Sequence, residues 1–282
     1  MRVLFTAVVA LHVPSGLANE TLSFPTGFAR LVDLHFLQDP FVFAGGLHVL
    51  WAALVLYAAG VGWWFALPYM TLFSIAVGSV QNSSGAIGHH AQIVSLVLLA
   101  QTAAYFYSRF RFATNRSAKP AMESRLIDWS QQAIAATYFI SGLTKLIHTR
   151  GLWIVQSRFV AVQIVKTSDH DYYDALNPAS HGAGYALADW MVRHPLLVAA
   201  AMSCGLLLEV TSPLLLLGRG WAAFYGVALL IFHESIERIM KLHFANNEML
   251  LVVYLINVPF WIGVAAQRLR YSTVRPAEVG DS

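Results

Sequence analysis

The sequence predicts an all-α integral membrane protein, and three observations support this fold class. The chain has 282 residues, of which 57% are hydrophobic and only 12% are charged, whereas a soluble domain carries about twice that charged fraction. Its mean hydropathy is +0.57, and several apolar stretches approach or exceed the roughly 18–20 residues that span a bilayer. The polar and apolar residues also lack the strict alternation that is typical of membrane β-barrel strands.

Seven apolar segments are expected to form membrane helices in a polytopic bundle of about seven or eight. They lie near 41–58, 61–80, 90–108, 127–148, 195–217, 221–242 and 248–267. Residues 1–18 combine one arginine, an apolar run and small residues, a pattern that fits either a signal peptide or a short first helix. Because no repeat and no second domain is visible, residues 1–282 are predicted to form a single transmembrane domain.

The basic residues indicate how the helices are oriented. Five of them lie in the loop 108–125, and three more follow the last expected helix. Since lysine and arginine concentrate on the cytoplasmic side, we expect this loop and the C-terminus to face the cytoplasm, with a bacterial inner membrane as the location. The polar segment 149–194 then lies on the opposite side, and its length predicts a partly helical, functional element.

Ionisable residues interrupt the apolar stretches and are expected to gather near the non-cytoplasmic face. His89, His90, Lys145 and the polar residues of 233–238 come out at one depth in this topology, whereas Glu209 falls nearer the cytoplasm. A charge in hydrocarbon is costly, so such residues usually face the bundle interior or a wet cavity. Their common depth therefore predicts a shared cavity.

The expected helix 127–148 has a polar face that includes a lysine. Tyr138, Ser141, Gly142 and Lys145 recur at i, i+3, i+4 and i+7 and so share one face. The small residues Ser141 and Gly142 would let a neighbouring helix approach closely. Lys145 would then point toward that helix, where burial disfavours the ammonium and makes the amine usable as a base. Alternatively, Lys145 lies near enough to the helix end to extend its amine to the membrane interface.

The stretch "FHESIERIMKLHF" at 232–244 carries a second set of polar residues. His233, Glu237 and Lys241 share one face, but HExxE lacks the second histidine of the zinc-protease motif. His233 and Glu237 could supply two metal ligands, yet the others would have to come from elsewhere, so we predict no metal site and favour pairing among the charges. His233 is the residue singled out here. The only cysteine, Cys204, can form neither an intrachain disulfide nor a thiolate metal site.

Three sequence blocks together resemble a known family. They are "GHHAQIVSLVLLAQ" at 88–101, "YFISGLTKLIHTRGLW" at 138–153, and "SCGLLLEVTSPLLLLGRGWAAFYGVALLIFH" at 203–233. In this order they resemble the membrane part of vitamin K-dependent gamma-carboxylase and the wider HTTM (horizontally transferred transmembrane) family, over about residues 80–262. The sequence departs from the carboxylases at His89, where they have asparagine, and no counterpart of their large lumenal domain is expected in residues 1–282.

The resemblance implies a cofactor and the residues that hold it. Lys145 matches the base that acts on the reduced quinone, and His90 and His233 match histidines at the same site; these three are the expected catalytic residues. The expected cofactor-binding residues are His89, Tyr138, Ser141, Glu209 and Glu237. The implied cofactor is reduced vitamin K, a menaquinol-type hydroquinone, with oxygen and carbon dioxide as further reactants.

The function that follows is the use of a reduced quinone and oxygen to generate a strong base, for carboxylation or epoxidation, at an outward-facing cavity. The expected partners are the lipid bilayer and a lipophilic quinol; nucleic acid is not expected, because the basic residues report orientation. One alternative is a non-enzymatic HTTM membrane interaction or immunity-type protein. The other is a DoxX-like quinone-interacting subunit, which shares a small-residue, lysine-bearing helix but is typically shorter.

Overall fold

The computed structural model describes residues 1–14, 16–17, 20, 22–85, 89–111, 119–176 and 178–274. Within these ranges every regular element is a helix and no strand is present. This confirms the all-α class.

The α-helices differ in length from one turn to eight turns. Their bounds are α1 Arg2–His12, α2 Pro40–Ala59, α3 Trp63–Asn82, α4 His89–Arg111, α5 Lys119–His148, α6 Trp153–Gln156, α7 Val160–Ala175, α8 Pro178–Arg193, α9 Pro195–Val210, α10 Arg219–Met240, α11 Ala245–Leu250 and α12 Val258–Val274. Short 3₁₀ turns cover Gly27–Arg30, His35–Gln38, Ser157–Phe159 and Ser212–Leu217, and a π-helical stretch covers Leu251–Ile256.

Local signals set the ends of α2. The side chain of Asp39 accepts the backbone N–H groups of Phe41 and Val42 at 2.8 and 3.1 Å, and Pro40 fills the first helical position. Gly60 ends the helix with φ of 76°, a left-handed conformation that suits glycine. The short turn that follows leads directly into α3, so the two helices form a hairpin.

Four described segments are long and apolar enough to cross a membrane, which is consistent with a multi-pass membrane protein. They are Pro40–Ala59, Trp63–Asn82, Gln92–Arg111 and Ala245–Leu269, and they match four of the seven expected segments. A fifth would be the pair Gly184–Arg193 and Pro195–Val210, whose two members meet at an angle of 99°. The expected segments 127–148 and 221–242 do form helices, as parts of α5 and α10, and the count of seven or eight spans stays a prediction.

The segment 195–217 is not the single membrane helix that the sequence predicts. Helix α9 ends at Val210, and a 3₁₀ turn over Ser212–Leu217 continues the chain to Gly218. Pro213 explains the break, because proline disfavours the α conformation of the residue before it and lacks the N–H of a continuing helix. The last membrane segment is interrupted too, at Asn257, which has φ of 51°.

The segment 149–194 is largely helical in its described part, as its length predicts. Helices α7 and α8 form a hairpin next to α9. The apolar contacts that hold this hairpin form a small cluster of their own, made of Ala161, Ile164, Ala188, Met191 and Val198. This cluster ties the polar segment to the bundle near the start of α9.

Helix α1 is packed into the bundle. Phe5, Val8 and Val9 are buried in the main apolar cluster, and the ring of Phe5 lies 6.1 Å from that of Tyr57 and 5.4 Å from that of Tyr254. Arg2–His12 is thus a helix that packs against the bundle, and the choice between a signal peptide and a first helix stays a prediction.

Candidate functional site

The polar face of α5 meets two other helices, as the spacing of its residues predicts. The side chains of Ser141 and Lys145 reach α9, and that of Tyr138 reaches α10. Helix α9 comes so close at Gly142 that an added Cβ would lie 2.9 Å from Val210 Cγ2 and 3.1 Å from the Val210 backbone nitrogen. Glycine at this position therefore permits the contact between the two backbones.

Lys145 forms an ion pair with Glu209. Its Nζ contacts both carboxylate oxygens, and Ser141 Oγ donates to Oε1 of the same carboxylate at 3.4 Å. The side chains of Glu209 and Lys145 are 6% and 28% exposed, and Nζ also lies 5.5 Å from the ring centre of Trp153. An amine held by a buried carboxylate points into the bundle, so the structure agrees with the inward orientation of Lys145.

The expectation that Glu209 lies nearer the cytoplasm than Lys145 is wrong. It assumed one straight helix over 195–217, on which Glu209 would fall well past the midpoint. Because α9 ends at Val210 and packs its last turn on Gly142, the carboxylate comes to the depth of the amine. The lysine is thereby paired within the bundle.

His233 lies on α10 and contacts Tyr138. The two groups are joined by a hydrogen bond of 3.2 Å between the tyrosine hydroxyl and Nε2, and the ring of Phe244 lies 4.7 Å from the imidazole. His233 is only 4% exposed. These contacts fix the plane of the imidazole ring.

The second ring nitrogen of His233, Nδ1, has no hydrogen-bond partner among the described residues. If the Tyr138 hydroxyl donates to Nε2, Nδ1 carries the proton and is a free donor; if Nε2 donates to the hydroxyl, Nδ1 is a free acceptor. In either tautomer Nδ1 can form a hydrogen bond with a ligand.

Two acceptors near this histidine also lack partners among the described residues. They are Oδ1 of Asn247 and Oε1 of Glu248, both buried and both on α11. Tyr138 has a side-chain hydrogen bond with Asn247 and lies within range of the charges of Glu209 and Glu248. His233 lies within range of the charge of Lys145. The six residues therefore form one cluster. Buried polar atoms are nearly always hydrogen bonded, and unpaired ones are the atoms that a ligand or bound water satisfies.

Asn247 and Glu248 are members of this cluster that the sequence analysis missed. The expected last helix spans 248–267, so the prediction places these residues at or just before a helix end. The signal that could have found them is the triplet "NNE" at 246–248, directly before an apolar run of membrane length. Polar residues at the same depth as His233 are candidates for the same site.

The remaining polar residues of α10 pair with one another or with the loop after it. Arg238 donates to Glu234 at 3.0 Å, an i, i+4 pair that agrees with the expected pairing among the charges of this stretch. Glu237 accepts from His243 Nδ1 at 2.8 Å, and its side chain is about one-third exposed. Glu237 therefore lies at the rim of the cluster.

The structure leaves the histidine pair at the start of α4 undecided. His89 and His90 do open that helix, as their block predicts, but their side chains lie outside the described residues. In the described part of the chain, no group of three or more His, Cys, Asp or Glu side chains is placed to hold a metal ion.

Comparisons with known proteins return no relative. No protein-family model, no curated protein and no solved structure matches the chain. The resemblance to the HTTM family therefore depends on the three sequence blocks. Two of those blocks meet in the fold, because Lys145 belongs to one and Glu209 and His233 belong to the other.

Proposed function

We propose that the protein binds a reduced quinone at the cluster formed by Tyr138, Lys145, Glu209, His233 and the start of α11, and that it uses the quinone with oxygen to generate a base for carboxylation or epoxidation. In this proposal the chain is an HTTM-like bundle of seven or eight membrane helices in a bacterial inner membrane. The cluster faces the non-cytoplasmic side, and the C-terminus is cytoplasmic.

The observation that carries the proposal is the set of unpaired buried polar atoms. The cluster presents three buried polar atoms without a partner among the described residues, namely His233 Nδ1, Asn247 Oδ1 and Glu248 Oε1. A hydroquinone fits this set, since each of its two hydroxyl groups can both donate and accept a hydrogen bond. Its apolar ring and tail can also reach the site from within the bilayer. Sites for small molecules typically have an apolar wall with a few polar groups that fix the orientation of the ligand.

Each residue of the cluster has a defined task. When bound, a hydroquinone supplies electrons to oxygen. Glu248 and Asn247 accept its hydroxyl hydrogens, and His233 Nδ1 forms a hydrogen bond with one of its hydroxyl groups. Tyr138 holds the imidazole in an orientation that leaves Nδ1 free. These hydrogen bonds orient the ring before any proton moves.

The Lys145–Glu209 pair provides the proton acceptor. A proton that moves from Nζ to the carboxylate leaves a neutral amine, and this amine can then accept a proton from a hydroxyl group. Ser141, which donates to Glu209 at 3.4 Å, orients the carboxylate for this exchange. The burial of the Glu209 carboxylate, which is 6% exposed, disfavours its charged form and so favours this transfer.

The test is quinol-dependent oxygen uptake by the purified protein in detergent. Lys145→Ala should lower the rate by about 100-fold or more, the range that general acid–base catalysis contributes. Lys166→Ala, which removes an exposed lysine of α7, should leave the rate unchanged. Unchanged oxygen uptake in a folded Lys145→Ala protein would refute the role of the lysine. If the unaltered protein neither takes up oxygen nor contains bound quinone, the non-enzymatic alternative would be favoured.

A further inference from the structure

A separate cavity lies at the other end of the bundle from the Lys145 cluster. Its volume is about 280 Å³, and its wall includes Arg2, Tyr57, Gln101 and Glu123. Glu123 and Lys145 lie near opposite ends of α5, roughly 33 Å apart at 1.5 Å per residue. That separation is close to the thickness of the hydrocarbon core of a bilayer, so the cavity lies at the depth of the lipid head groups on the opposite side.

The side chains of Arg2 and Glu123 carry opposite charges in this cavity, but they do not form a close ion pair. Arg2 Nη2 lies 3.7 Å from Glu123 Oε1, beyond the length of about 2.7–3.2 Å that an N–H···O hydrogen bond takes. The two side chains are 30% and 42% exposed. Each charge therefore keeps the capacity to bind a further group.

Contacts other than Glu123 hold the guanidinium of Arg2 in place. It lies over the ring of Trp63, at 5.4 Å from the ring centre. It also covers the C-terminal end of α2, where an added Cβ on Gly60 would lie 2.0 Å from Nη1. The negative end of the helix dipole favours a cation there. Arg2 is thus positioned in advance, independently of the carboxylate.

The hydroxyl and amide side chains in the cavity wall hydrogen-bond with one another or with Ser130. Tyr57 donates its hydroxyl hydrogen to Gln101 Oε1 at 2.8 Å, and the Gln101 amide donates to Ser130 at 3.0 Å and to Tyr254. The rest of the wall includes the apolar side chains of Leu126 and Ile127. Hence, of the side chains in this wall, those of Arg2 and Glu123 have charges that a ligand would engage.

We propose that this cavity binds the head group of a phosphatidylethanolamine-type lipid, with the phosphate on Arg2 and the ammonium on Glu123. A head group with both charges complements a cation and an anion held side by side. Phosphatidylglycerol would place its phosphate on Arg2 in the same way, but its glycerol is neutral and offers the carboxylate of Glu123 no positive charge. A choline head group lacks N–H donors, so it cannot donate a hydrogen bond to that carboxylate. The apolar residues Leu126 and Ile127 lie beside the first acyl carbons.

The experiment is native mass spectrometry of the full chain in detergent, titrated with phosphatidylethanolamine, phosphatidylglycerol and phosphatidylcholine. The unaltered protein should retain phosphatidylethanolamine about tenfold more strongly than the other two, the effect of one charge-assisted hydrogen bond. Glu123→Gln should abolish this preference by weakening phosphatidylethanolamine and strengthening phosphatidylglycerol. Asp189→Asn, which removes an exposed carboxylate of α8, should change nothing.

Two results would overturn the proposal. One is equal retention of the three lipids by the unaltered protein or an unchanged preference in Glu123→Gln. The other is binding of soluble phosphoethanolamine as tight as that of the lipid, which would show a soluble ligand instead. Arg2→Gln adds a second variant that should lose phosphatidylethanolamine, and Glu123→Gln decides the matter if Arg2→Gln does not fold. No quinone enters this assay, so its result is independent of the proposed function.

Discussion

Removal of either partner of the Lys145–Glu209 pair should destabilise the protein more than removal of both. The relevant variants are Lys145→Met, Glu209→Leu and the double variant, which keep similar side-chain volumes. Each single variant leaves one charge without its partner inside the bundle. The double variant replaces the pair with apolar groups, a change that is often nearly neutral for buried ion pairs.

The burial of the two side chains indicates which single variant costs more. Lys145→Met leaves Glu209, which is 6% exposed, so the full cost of breaking a buried pair applies, about 3–5 kcal/mol. Glu209→Leu leaves Lys145, which is 28% exposed and also lies against Trp153. Partial solvation lowers this cost to about 2–3 kcal/mol. We therefore expect the order Lys145→Met, Glu209→Leu, double variant, from least to most stable.

Thermal unfolding in one detergent, followed by circular dichroism, measures this order. A matched control is the exposed pair of Asp189 and Arg193 on α8, where the same cycle should change stability by no more than about 0.5 kcal/mol. A cycle at Lys145 and Glu209 with additive effects and no recovery in the double variant would refute the buried pair.

The other predictions concern the contacts around this pair. Gly142→Ala should destabilise the protein by about 1–3 kcal/mol in thermal unfolding, because the new Cβ would overlap α9, whereas Gly45→Ala, which meets no atom within 4 Å, should not; equal effects would contradict the close approach. Tyr138→Phe should cost about 1–2 kcal/mol by leaving the His233 imidazole unpaired, and a Tyr138–His233 double-variant cycle without coupling would rule out that hydrogen bond. Glu248→Leu should maintain or raise thermal stability, since Oε1 lacks a partner, yet lower quinone binding in equilibrium dialysis; a large loss of stability would assign the carboxylate a structural role.

The sequence predicts the polar face of α5 because that prediction needs only the helical period. Tyr138, Ser141 and Lys145 point toward other helices, and Gly142 marks the close approach. The partner of Lys145 was not predictable in the same way. The position of Glu209 depends on where α9 ends, and a break at Pro213 changes the depth of every residue before it.

The two acceptors of α11 illustrate a second limit. Asn247 and Glu248 reach the cluster because a short helix precedes the π-helical stretch and brings the start of the last membrane segment beside His233. Hydropathy marks only the apolar run that follows them. The triplet "NNE" at 246–248 marks polar residues before that run, but their partners are set by tertiary packing, which a local pattern does not specify.

The most direct measurement is the amount of quinone that co-purifies with the chain. Protein purified from membranes would be extracted with solvent, and the quinone would be quantified by mass spectrometry for the unaltered chain and for His233→Ala. If a quinone binds at the cluster, the unaltered chain should contain a roughly equimolar amount of quinone and the folded His233→Ala variant should contain little. Equal amounts in the two proteins, or none in either, would contradict a quinone site at His233.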